Sequence, residues 1–159
     1  EKSYLDGLKP CYEYFENDVV CDFSQDGYRL PTEAEWEFAA KGRRNRYELY
    51  AGSDEPDGVG WYIRNSDAAP HKVGQKASNL YGLYDMSGNV YEWVWNWYAP
   101  YSHRIPDPFA GSERGTDRVL RGGSWFHPAS EMRVTNRFYA KPYTAANYIG
   151  FRVVRRSVN

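Results

Sequence analysis

Residues 118–155 read RVLRGGSWFHPASEMRVTNRFYAKPYTAANYIGFRVVR, and two populations interleave in them. RVLRGGSW and IGFRVVR alternate as strands do, with MRVTNR between them. The remaining positions, Phe126, His127, Pro128, Ser130, Glu131, Phe138, Tyr139, Ala140, Lys141, Tyr143, Thr144, Asn147 and Tyr148, share no period. Aromatic side chains are usually core, but a core would not accept Pro128, Ser130, Glu131, Lys141 and Thr144 among them. Tyrosine supplies a large contact area with few rotors to freeze. The pattern implies a scaffold that holds up an exposed binding surface.

Outward from this stretch, local signals place the other elements. Residues 11–23 alternate as a hairpin and residues 24–27 form a turn. In that hairpin Cys11 and Cys21 fall close to opposite one another, so a bridge is geometrically possible and a pair of buried thiols is the alternative. Thr32 with Glu35 makes a capping box that opens a helix, which Gly42 ends. Trp36, Ala39 and Ala40 recur at helical spacing, so the helix buries Trp36. Residues 43–79 read as loop, with at most short strands around Trp61 and Val73. A tight turn at residues 87–89 precedes a strand. Residues 99–117 are again loop, and residues 119–125, 133–138 and 149–154 are the last strands of an antiparallel sheet.

At 159 residues the chain is one ordinary domain, 1–159. Its formal net charge of −1, with both signs mixed, gives no basic stripe for nucleic acid and no acidic tail. An aromatic content of 18%, with 14 Gly and 9 Pro, points to a loop-rich α+β fold pinned by aromatic packing. No apolar run approaches the roughly 20 residues that span a bilayer.

The motifs GYRLPTEAEWEFAAKG (27–42), NLYGLYDMSGNVYEWVWNWY (79–98), RGGSW (121–125) and IGFR (149–152) resemble, in the same order, the formylglycine-generating enzyme (sulfatase-modifying factor) family. The resemblance covers roughly residues 10–155 and implies a C-type-lectin-like fold with antiparallel strands and few short helices. The family's N-terminal portion has no counterpart, so the chain reads as part of a larger domain. A companion N-terminal segment or a second chain is then expected on the uncovered sheet edge. In active members RGGSW leads to a cysteine pair that binds copper; His127 and Met132 stand at those positions. Imidazole and thioether cannot replace thiolates as ligand and redox group, so no enzyme activity is expected.

With residues 118–155 as its variable region, the chain is more closely similar to the variable proteins of diversity-generating retroelements. There, RGGSW, an RVxNR element and IGFR frame positions diversified toward NNC codons. Phe, His, Pro, Ser, Tyr, Ala, Thr and Asn can be so encoded; Glu131 and Lys141 cannot. That resemblance implies a non-catalytic protein that binds a macromolecular partner, a protein, at the cell surface. The alternative is a degenerate or atypical enzyme-like member that binds a peptide or oxidises with a different metal set.

The family also implies a possible calcium ion on the carbonyls of Gly88 and Val90 and the Glu92 carboxylate, although calcium takes six to eight oxygens. The alternative is an internal hydrogen-bond knot at this turn, to which Asn89, Tyr91 and Trp93 also belong. Glu55-Pro56-Asp57 and Trp95-Asn96-Trp97 only echo a sugar-binding lectin site. His71, His103 and His127 lack a second ligand at metal spacing and read as surface or hydrogen-bonding residues. Ser124 with His127 lacks a nucleophile elbow. Arg121, Arg133, Arg137 and Arg152 read as structural, stacking on Trp and closing loops, and Asn136 as a tie for loop backbone. Trp36, Trp93, Trp125, Val134 and Phe151 are the expected core beneath the display.

Overall fold

The computed structural model describes residues 1–16, 18–42, 48–100, 111–112 and 114–157. His103, Asn17 and parts of the stretches 43–79 and 99–117 therefore lie outside the described residues. The chain divides into two compact units, residues 1–31 with 152–159, and residues 32–151.

In the first unit a helical turn, α1 (Lys2–Leu5), precedes the hairpin β1 (Tyr12–Phe15) and β2 (Asp18–Cys21). The register pairs Tyr12 with Cys21, while the Asp22 amide bonds the Cys11 carbonyl. Neighbouring strand residues point to opposite faces, so Cys11 and Cys21 cannot form the bridge that the sequence leaves open. They are not joined, and the buried Cys11 thiol donates to the Gly27 carbonyl at 3.1 Å.

The second unit carries the site. Helix α2 (Glu33–Lys41) opens with the expected capping box: Thr32 Oγ1 accepts from the Glu35 amide, and the Glu35 carboxylate accepts from the Thr32 amide. It lies beside a four-stranded sheet of order β5-β4-β3-β6. The strands are β3 (Tyr91–Trp97), β4 (Arg118–Arg121), β5 (Phe138–Ala140) and β6 (Ile149–Phe151). Trp36 and Ala40 of α2 pack with Ala51, Met86, Val94, Val119 and Val134. A second cluster joins Tyr50, Val59, Tyr62 and Met132.

The structure corrects several sequence expectations. β4 stops at Arg121 because Gly122 and Gly123 take φ of 96° and 72°, which turns the chain out of the strand. A Cβ at Gly123 would lie 2.9 Å from the Glu131 backbone, so only glycine fits that turn. Residues 133–137 are not strand; a turn of 3-10 helix at Ala129–Met132 and further turn precede β5. Turns replace the short strands around Trp61 and Val73.

β6 runs parallel to β3 rather than antiparallel. Its chain leaves β5 at one edge of the sheet and re-enters at the other, so residues 141–148 must pass β4 and β3, a span of ~14 Å at three strand spacings. Phe151, expected in the core, is 68% exposed on that edge strand. Trp93 is half-buried, because Glu92, Val94 and Asn96 take the inward face of β3.

Candidate functional site

Buried residues root the backbone of residues 122–148 at intervals. The Trp125 amide donates to the Asn89 carbonyl at 2.8 Å, its indole to the Asn147 carbonyl at 3.2 Å, and its own carbonyl accepts from Ser66. The buried Met132 accepts Ser87 Oγ at its carbonyl, and its sulfur would lie 2.6 Å from a Cβ at Gly88. The Val134 amide bonds the Leu49 carbonyl at 3.0 Å. The side chains between these roots point elsewhere.

Phe126, Pro128, Ser130, Phe138, Tyr139, Lys141, Tyr143 and Asn147 are exposed, and His127, Glu131, Ala140, Thr144 and Tyr148 are half-buried. Their rings touch in series: Tyr148 to Phe126 at 6.1 Å, Phe126 to His127 at 5.6 Å, His127 to Phe138 at 6.3 Å, and Phe138 to Tyr139 at 5.9 Å. One continuous surface results. Tyr143, at 84% exposure, stands apart from this series.

Tyr91 at the start of β3 is the floor of the surface. Buried to 1%, its ring stacks on Phe138 at 5.1 Å and meets His127 edge-on at 5.1 Å. Its hydroxyl donates to Glu131 Oε2 at 3.1 Å, and burial, reinforced by that carboxylate, pushes the phenol well above its ordinary range. Tyr98, one residue past β3, packs on Tyr139 at 4.2 Å and carries the Arg137 guanidinium over its ring at 4.9 Å. A support role for Tyr98 was not legible, since its only signal is position one residue past a strand of alternating aromatics.

Asn136 ties loop backbone as expected, its amide nitrogen reaching the Glu131 carbonyl at 3.3 Å and Oε2 at 2.6 Å. Arg121 is fully buried and stacks on Trp36 at 5.1 Å. It donates to the carbonyls of Val134 and Asn136 and to the Glu37 carboxylate, and its Nε pairs with Glu33 as an ion pair at 3.5 Å without a hydrogen bond. Arg137 clasps Glu33 through two bonds at 2.6 and 2.8 Å and the Ala99 carbonyl through a third. Arg118 lies between Trp95 and Trp97 at 4.4 and 3.6 Å. Arg133 departs from the structural reading: it is exposed at the end of the 3-10 turn.

The turn at residues 87–89 is closed chiefly by Asn89, whose φ is 64°. Its side chain accepts the His71 amide at 3.0 Å and donates to the His71 carbonyl at 3.1 Å, while its amide reaches the Trp61 carbonyl. Glu92 is buried and its Oε2 accepts the Trp36 indole at 2.7 Å. That bond makes Glu92 part of an internal hydrogen-bond knot with α2. His71 stacks on Trp61 at 3.8 Å and bonds the Ser66 carbonyl. Ser124 Oγ lies 2.6 Å from His127 Nδ1, but the serine is wholly buried and serves to orient the ring. Burial also lowers the His127 pKa and favours its neutral form.

A cavity of about 450 Å³ lies away from the ring surface, between α2 and the end of β3. Its charged lining, Glu33, Glu37, Lys41 and Arg137, is already cross-paired, which marks it as a cleft of the scaffold.

Residues 7–157 match the sulfatase-modifying factor enzyme 1-like domain, and the chain belongs to that family. Among solved structures it is similar to Treponema denticola variable protein 1, with a TM-score of 0.89 and 34% identity over 98% of this chain and 66% of that one. It is 38% identical to chaperone protein LppX of Paenibacillus barcinonensis, over 84% of this chain and 56% of the relative. It is 33% identical to the formylglycine-generating enzyme of Thermomonospora curvata, over 86% and 52%. The chain thus spans about half the length of these curated relatives. The fold is that of the formylglycine-generating-enzyme-like, C-type-lectin-like proteins.

If the rings are surface and Trp125 is foundation, substitutions must separate them. Phe126→Ala and Tyr143→Ala are each expected to change the urea-unfolding free energy by no more than about 0.5 kcal/mol. Trp125→Ala should cost roughly 3–5 kcal/mol as a core cavity. Equal losses at both kinds of position would make the rings part of the core.

Proposed function

We propose that the chain is a non-catalytic ligand-binding protein that presents a diversified surface, centred on Phe126, His127, Phe138, Tyr139 and Tyr148, to a protein partner at the cell surface. One observation carries this reading: a continuous run of solvent-accessible rings sits on backbone anchored separately by Trp125, Met132 and Val134. A monomer has no structural use for so large an apolar patch. The likeness to a protein titled a variable protein supports the diversified character. His127 and the buried Met132, at the positions of the family's copper-binding cysteines, support the absence of formylglycine chemistry. β5 and β6 are the edge strands of the sheet and Phe151 on β6 is exposed, which supports a companion segment or second chain alongside the sheet.

Two experiments test this. The encoding DNA should be accompanied by a near-identical template copy that differs mainly at adenines. Incubation with copper, oxygen and a Cys-containing sulfatase peptide should leave the cysteine unchanged; conversion above the no-protein control restores the enzyme reading.

Calcium at Gly88, Val90 and Glu92 is a separate proposal, supported only by the motif. A ligand of the native state raises its apparent stability. A melting midpoint that rises with added calcium and falls with chelator upholds the site, whereas an unchanged midpoint leaves the Asn89 and Trp36–Glu92 hydrogen bonds to hold the turn alone.

A further inference from the structure

We infer that the ring surface anchors a positively charged side chain of its protein partner, an arginine in the first place, at the Glu131 carboxylate. The inference rests on the binding reading above and adds the chemistry of the partner.

Glu131 is half-buried amid the rings, and both of its side-chain hydrogen bonds, from the Tyr91 hydroxyl and the Asn136 amide, end on Oε2. Among the described residues no donor reaches Oε1. The backbone is pinned as well, by the Glu131 amide on the Pro128 carbonyl at 3.0 Å and by Asn136 on the Glu131 carbonyl. A charged oxygen is therefore held in place and left open, and a group already ordered loses little entropy on binding.

Among the described residues no cation pairs with it, the exposed Arg133 two residues on included. Arg121 and Arg137 are committed to Glu33 and Glu37, and Lys141 lies 3.4 Å from Asp117. Burial holds His127 toward its neutral form. The Phe138 and His127 rings both contact Tyr91, whose hydroxyl the carboxylate accepts.

Aromatic faces attract cations, and an ionic hydrogen bond adds to that attraction. Guanidinium suits both halves of the site: its plane stacks on a ring while an N–H reaches the oxygen, and it is less strongly hydrated than ammonium. A single open oxygen does not make a metal site, which needs several ligands.

The probe is a random peptide library displayed on phage and panned against the chain, followed by calorimetric titration of the selected peptides. Arginine should be enriched over the unselected library. The Kd should rise about tenfold or more with Glu131→Gln, which keeps an oxygen for Tyr91 and Asn136. Replacing the peptide's arginine by citrulline should cause the same loss, with no further loss when both changes are combined. Selected peptides without a cationic residue, or an affinity indifferent to Glu131→Gln, overturn the inference. A variant carrying Phe126→Ala, Phe138→Ala and Tyr139→Ala, with folding checked by circular dichroism, separates the two levels. Cation-free peptides that lose binding to it leave the binding surface standing, while peptides that still bind it equally well remove the surface reading too.

Discussion

The second unit depends on one buried cation. Arg121 has no solvent exposure, and its guanidinium joins α2, through Glu33 and Glu37, to the backbone carbonyls of Val134 and Asn136 that lead into β5. Burying a charge is costly unless it is paired, and a lysine has neither the planar fork nor the number of donors to reach these partners; the Arg121 Nε itself has the Glu33 ion pair but no hydrogen bond. Glu33 in turn holds Arg137, the residue before Phe138, so one network of charges fixes the entry to the second half of the ring surface.

The first half is fixed differently. Gly122 and Gly123 turn the chain out of β4, and Trp125 and Met132 then sink into the interior with their backbone groups bonded to Asn89, Ser66 and Ser87. Between two such roots the chain is committed in space whatever side chains it carries. That is the physical condition for exchanging Phe126, Pro128 or Ser130 without disturbing the fold, because the stabilising contacts belong to other residues. Tyr91 couples surface to scaffold, since it lies in β3 yet touches His127, Phe138 and Glu131, and Tyr98 does the same beneath Tyr139.

What could be read from the sequence is what depends on near neighbours. The Thr32–Glu35 capping box, the hairpin at Tyr12–Phe15 and Asp18–Cys21, and the strand after the Asn89 turn all rest on contacts a few residues apart. The separation of exposed display from buried Trp125 was also visible, as mixed chemistry without a period. The parallel pairing of β6 with β3 was not, because alternation says which face is buried and not which strand lies alongside. Trp93 and Phe151 look like core by residue type, yet their exposure follows from strand facing and from an edge position. Arg121 and Arg133 look alike in sequence; one is sealed under Trp36 and the other is at the surface. Glu131 looked like one more display residue because Tyr91, its partner, is distant in the chain.

The Arg121 network, rather than contacts within the ring surface, holds the second unit together. The most direct measurement is the urea-unfolding free energy of Arg121→Met, which removes the cation while leaving Glu33, Glu37 and the Val134 and Asn136 carbonyls in place. A loss of about 3–5 kcal/mol, the cost of breaking a buried charge network from one side, is the predicted result. A change of less than about 0.5 kcal/mol, as at an ordinary surface position, would contradict it.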